Sequence, residues 1–231
     1  MNRLNCAFSV TSVLVLLVTI ERFSFTTTIL LQPYSFIRLH ELVQGPILLT
    51  LFLVVSTFVL RELSHGFKTL PYWLLALFVA GAYIYGLGEG WHEVTSFTLN
   101  QYCEVPNLSG DLCGGLFVND YYTGNILFFL GGIGMAVALM ILERLSPGTG
   151  WDNRNIVIGA VNSFIYSFTF FAYAAFDLVL VGLYSTIALM LISLALLAGV
   201  VRSWRQHPYI SYSAFAYTLA TVASVIVRTR T

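Results

Sequence analysis

Apolar runs about as long as a bilayer is thick alternate along this chain with short polar breaks. A spanning helix requires roughly 20 mostly apolar residues, and seven stretches meet or approach that length, near 4–24, 37–60, 70–93, 121–142, 155–176, 178–200 and 208–227. Between the fifth and sixth, only Phe176 and Asp177 interrupt an apolar run far too long for one crossing, which predicts a tight hairpin there. "SPGTGWDNRN" is the clearest break and divides a four-helix half from a three-helix half. With no internal repeat and no long linker, the pattern predicts one all-α transmembrane bundle over 1–231.

Composition turns this into a statement about environment. The chain is 58% hydrophobic and 10% charged, against about a quarter charged in soluble domains, so an integral, multi-pass membrane protein is expected. A formal net charge of zero removes nucleic acid from the expected partners. Lys and Arg then predict direction, because cytoplasmic loops retain positive charge. The N-terminal side collects Arg3, Arg61, Lys68, Arg144, Arg154, Arg202 and Arg205, whereas the other side has Arg22, Arg38, Arg228 and Arg230. The N-terminus is expected to be cytoplasmic and the C-terminus outside. The first run also has the positive and apolar regions of a signal peptide, but no small-residue cleavage site precedes "ERF", so an uncleaved first helix is expected.

This topology sends Cys103 and Cys113, which flank "EVPNLSGDL", to the loop outside the third span. Disulfides persist on that side of a plasma membrane or endomembrane, and a Cys103–Cys113 bridge is expected. "NLS" at 107–109 matches an N-glycosylation acceptor there. Cys6 reads as a packing residue.

The acids and imidazoles do not scatter. Glu21, His40, Glu41, Glu89, His92, Glu93, Asp120 and Asp177 all fall on the outer side. Glu62, His65, Glu143, Asp152 and His207 fall inside, mostly beside Arg or Lys, where interfacial pairing accounts for them. On a continuous helix Glu89, His92 and Glu93 share one face, and Glu-x-x-His is the spacing by which bundles offer a carboxylate and an imidazole to one ion. His40, Glu41 and Asp120 should reach the same depth from neighbouring helices. The candidate ligands for a divalent metal, zinc or iron, are therefore His92, Glu89, His40 and Asp120, with Glu93 and Glu41 as candidate general bases. A second Glu-x-x-His, Glu62 to His65, lies about 32 Å from Glu41 along a helix and cannot share the ion. Glu21 and Asp177 read as solvated residues at headgroup level; Trp91, Trp151, Tyr121 and Tyr122 read as an aromatic belt. Gly86, Gly88 and Gly90 are expected to thin or break the third span, "GGIG" at 131–134 to form a packing face, and Pro46 to kink the second span.

Lys68 is the only lysine, which excludes the retinal Schiff base that microbial rhodopsins form in their last helix. Alkaline ceramidases and adiponectin-type receptors are similar in having seven helices, but the paired histidines of their last helix are missing here. His40, Glu41 and Glu89 loosely resemble the His and Glu on one helix and the Glu on the next of emopamil-binding-type sterol isomerases; the surrounding motifs are absent, and no family is assigned. The function expected is a metal-dependent membrane hydrolase acting on a lipid or another apolar substrate, or a metal-free acid/base isomerase at the same pocket. The alternatives are a non-catalytic lipid- or cation-binding or transport protein, and a structural subunit with membrane-protein partners. Membrane lipids are partners in every case.

Overall fold

The structure, a computed structural model, describes residues 3–230. Among the described residues every long element is a helix; the one β feature is an isolated bridge between Leu30 and Arg38. Among the described residues seven helices are long and apolar enough to cross a membrane: α1 Arg3–Glu21, α2 Leu39–Leu63, α3 Tyr72–Tyr102, α4 Gly110–Leu145, α5 Asn153–Phe176, α6 Val181–Gly199 and α7 Pro208–Arg228. These are the features of a multi-pass membrane protein. The hairpin expected at Phe176–Asp177 is present between α5 and α6.

Two helices run well past their expected ends. α3 continues nine residues beyond 93, and α4 starts eleven residues before 121. At 31 and 36 residues they are about 46 and 54 Å long at 1.5 Å per residue, against a hydrocarbon core of about 30 Å. Thr, Asn, Gln and Cys in the extensions lower hydropathy but do not stop a helix. Phe97 and Leu99 keep the α3 extension anchored by remaining buried. Cys103, just past α3, and Cys113, in the first turns of α4, form the disulfide, with Cα atoms 5.8 Å apart. Cys113 is thus on a helix and not in the loop expected for it. The end of the bundle that carries this bridge is called the disulfide end below.

Wide π-helical turns interrupt α2 at Val43–Leu49 and α4 at Val118–Gly124. The first contains Pro46, which has no N–H to donate to the preceding turn, so the backbone bonds rearrange around it. α3 is unbroken through Gly86, Gly88 and Gly90. Of these three only Gly88 meets a neighbouring backbone: a Cβ there would lie 2.2 Å from the Phe128 nitrogen of α4. Gly131, in the "GGIG" packing face, makes the reciprocal approach, its would-be Cβ 2.2 Å from the Tyr85 nitrogen of α3. Backbone-to-backbone contact of this kind needs small residues on both helices.

Helix α1 packs on α2 and α5; α4 is central, touching α2, α3, α6 and α7; and α7 lies against α4, α5 and α6. At the end away from the disulfide, the core is aromatic, with Phe8 stacked on Tyr212 at 4.3 Å and edge-on to Trp151 at 5.9 Å. Trp151 is therefore a core residue and not part of a belt. Glu143 also departs from the pairing expected of it. Only 1% exposed, its carboxylate accepts the N–H groups of Tyr209 and Ile210, each at 2.8 Å. These donors open α7 behind Pro208 and have no acceptor within their own helix. Arg3 and Glu62, 3.9 Å apart and partly exposed, do make an interfacial pair.

Candidate functional site

Glu21 ends α1, His40 and Glu41 occupy the first turn of α2, Glu89, His92 and Glu93 lie along α3, and Asp120 sits in the π turn of α4. Up-and-down packing brings all of these to the disulfide end. Asp120 is inside a helix and not at its start, because α4 begins ten residues earlier.

The residues form two adjacent groups. In the first, His40 stands between carboxylates: Nδ1 is 2.6 Å from Glu21 Oε2, and Nε2 is 3.4 Å from Glu93 Oε2. The Glu21 approach is close but off the line of a hydrogen bond, which leaves Nδ1, on a residue only 7% exposed, without an aligned partner. Glu21 is held by Gln44, whose Nε2 donates to its Oε2 at 2.8 Å, and by the Thr26 hydroxyl. Glu41 accepts from the Arg38 backbone N–H at 2.7 Å and from its guanidinium, with Nε at 2.8 Å, closing a capping box on the start of α2. One atom each of His40, Glu41 and Glu93 lie within 4.8 Å of one another, all on buried residues. Ligands held about 2.1 Å from one ion cannot be more than about 4.2 Å apart, so no pair would have to draw in by more than about half an ångström.

In the second group, His92 Nδ1 is 2.7 Å from Asp120 Oδ1 and 3.4 Å from the Asp120 carbonyl oxygen. This pair also lacks hydrogen-bond alignment at Oδ1. Nearby, Asn125 donates from Nδ2 to Asp177 Oδ2 at 3.3 Å. Glu89, one helical turn from Glu93 on α3, is buried. Arg22 faces it, donating to the Tyr173 hydroxyl and lying 5.0 Å from the centre of that ring. Tyr173 first, then Glu89, Glu93 and Asp177, hold the Arg22 guanidinium above its usual pKa against the opposing cost of burial. Burial pushes the Asp177 carboxyl up, opposed by the N–H groups of Val179 and Leu178. Carboxylates outnumber guanidiniums here, so the site as a whole favours a cation or added protons.

The four sequence-derived ligands do not converge on one point. His92 and Asp120 pair with each other, whereas His40 groups with Glu41 and Glu93, the two residues expected to act as bases. Glu89 instead reaches the wall of a cavity. Glu21, Gln44 and Arg22 were not expected in the site. An acid ending an apolar run reads as a headgroup residue, and two of its three partners, His40 and Gln44, are 19 and 23 residues away in sequence. Gln44 carried a usable signal: it is polar, within an apolar run, and one turn from His40.

A cavity with about 110 Å³ of room for atom centres runs through the bundle interior and is lined by residues of all seven helices. Its walls are mainly apolar and aromatic. Gln44 and Glu89 mark its end nearest the acids, each one helical turn from the His40, Glu41 and Glu93 group. No protein-family model, curated protein or solved structure matches the chain, so the chemistry of the site rests on its own geometry.

Proposed function

We propose that the chain is a membrane-embedded hydrolase that cleaves an ester or amide of an apolar substrate at the disulfide end. The observation that carries this reading is the buried His40, Glu41 and Glu93 group, able to converge on one divalent ion, next to the end of an apolar cavity. The charge bias of the loops and the Cys103–Cys113 bridge support placing that end outside or in a lumen, with the N-terminus cytoplasmic.

His40 presents one nitrogen toward Glu93 while Glu21, steadied by Gln44 and Thr26, stands at the other; a carboxylate in that position orients a ligating imidazole. A divalent ion bound there, zinc or iron, would polarise the substrate carbonyl and acidify water. Glu89, on the cavity wall, accepts a proton as water adds its oxygen to the acyl carbon. His92, backed by Asp120, delivers a proton to the departing alcohol or amine as the C–O or C–N bond breaks. Arg22 lies beside Glu89 and Glu93 and offsets the charge that builds there. Glu41, already engaged by Arg38, serves as a ligand better than as a base.

A metal-free reading has its own support, since both nitrogens of His40 face carboxylates, as in a proton relay for an isomerase. One experiment separates the two. The protein is purified in detergent, incubated with zinc or iron(II), desalted, and its metal content measured. About one bound equivalent is expected, lost in His40→Ala and Glu93→Gln and retained in His92→Ala, with lipid-ester or lipid-amide hydrolysis following the metal. Wild-type protein that holds no stoichiometric metal overturns the metal-dependent reading. Turnover insensitive to chelators favours the relay.

A further inference from the structure

The cavity's dimensions speak to the shape of its occupant. Along α2 its lining steps through Gln44, Leu48, Phe52 and Ser56, one residue per turn. From Gln44 to Ser56 is about 18 Å at 1.5 Å per residue. Along α4 the lining extends from Phe128 to Leu139, a similar span. The volume of about 110 Å³ spread over about 18 Å leaves a cross-section of about 6 Å² for atom centres, a circle roughly 2.8 Å across. Two hydrocarbon chains need their axes about 4 Å apart and cannot lie side by side in that bore. One chain fits.

The walls suit methylenes. Tyrosines contribute several of them through their ring faces, and the hydroxyl nearest the acids, that of Tyr173, already accepts from Arg22. The one carboxylate in the lining, Glu89, stands with Gln44 at one end, while Ser56, Leu139 and Tyr209 line the other. A chain that entered with its polar group leading would bury that group among apolar atoms; entering tail-first, it leaves the group against the acids.

We propose that this cavity holds the single linear acyl or alkyl chain of a one-chain lipid, tail-first, and sets its length at about 16 carbons, since an extended chain advances about 1.2 Å per bond. The proposal deepens the hydrolase reading and rests on it for the reaction at the head of the chain. Occupancy itself does not depend on turnover. The cavity would then act as a ruler, placing the scissile bond beside Glu89 only when the tail fills the bore.

Thermal melting tests this in a sterol-based detergent, which brings no linear chain of its own, with primary alcohols of 8 to 18 carbons added as probes. The wild-type protein is expected to show its largest rise in melting temperature near 16 carbons, with a smaller rise for longer chains. Ser56→Phe, at the end away from the acids, should move the optimum shorter by three or four carbons. Gly132→Leu, whose Cβ would sit 3.6 Å from the Tyr85 ring and whose side chain would project into the bore midway, should remove the response to long chains. Leu139→Ala deepens the far end and should move the optimum longer, which keeps the test open if a filling variant does not fold. A wild-type response with no length optimum, or an optimum unmoved in folded Ser56→Phe and Leu139→Ala, overturns the proposal. The same series in metal-free His40→Ala separates the two readings: a preserved optimum upholds the chamber even where hydrolysis has failed.

Discussion

Adding one methyl group to α3 at Gly88, and separately at Gly90, is expected to move stability in opposite directions although the two positions are neighbours. At Gly88 the new Cβ would stand 2.2 Å from the Phe128 nitrogen, 2.7 Å from its Cα and 2.8 Å from the Gly124 oxygen. All three are backbone atoms, so no side chain can rotate away. Carbon contacts are comfortable only from about 3.5 Å, and α3 and α4 must part by roughly 1 Å. Overpacking of this kind costs about 1–3 kcal/mol, and here it also loosens the seam of contacts along both helices, which places the cost at the upper end. Alanine returns up to about 1 kcal/mol over glycine in a helix, leaving a net loss of about 2 kcal/mol. For a chain of this size that corresponds to a fall in melting temperature of about 4–8 °C. At Gly90 nothing lies within 4 Å of the same Cβ, so only the helix gain remains and a rise of about 2–4 °C is expected. Thermal melts of the purified variants in one detergent, followed by circular dichroism, decide the matter. Gly88→Ala melting at or above the wild type would refute the close crossing, and Gly90→Ala melting lower would refute the open face.

Other expectations can be checked with the same material. Glu143→Ala strips two N–H groups at the start of α7 of a charged acceptor and should lower stability by about 3 kcal/mol or more; Glu143→Gln, which keeps one carbonyl oxygen, should cost less, and equal melting of all three proteins would contradict the capping role. Replacing Cys103 and Cys113 by serine opens a short loop and should cost somewhat under about 3 kcal/mol, seen as a lower melting temperature that a reductant reproduces in the wild type and not in the variant. His92→Asn and Asp120→Asn should be non-additive in hydrolysis, with a coupling of about 1–3 kcal/mol in a double-mutant cycle; strictly additive losses would mean that the two do not act together.

The seven helices were legible because bilayer-length apolar runs have few other readings. Their ends were not. Hydropathy falls at "TSFTLNQY" on α3 and at "GDLCGGLFVND" on α4, yet neither stretch contains a residue that forbids a helix, and the extensions are supported by packing on each other. The disulfide was legible from the placement of two cysteines in one polar stretch. The site was half legible. Spacing along α3 correctly put Glu89, His92 and Glu93 near one another, and topology put His40, Glu41 and Asp120 at the same end. Pairing across helices was beyond spacing: a rotation of α2 by one residue would change which nitrogen of His40 meets which carboxylate. Glu21 shows the same limit, since its burial comes from Thr26 in the following 3₁₀ turn and Gln44 on the next helix.

The crossing of α3 and α4 has a mechanical consequence. Joined by glycine contacts at Gly88 and Gly131 and tethered beyond them by a disulfide, these two helices form one stiff plank that carries Glu89, Glu93, His92 and Asp120 together. Glu21 and His40 ride on α1 and α2 instead. A movement that admitted a substrate between the two bodies would keep His92 on Asp120 while drawing His40 away from Glu93. If the proposed ion binds there, the doorway and its ligand group would be the same contact: the site would be whole only when the entrance is shut.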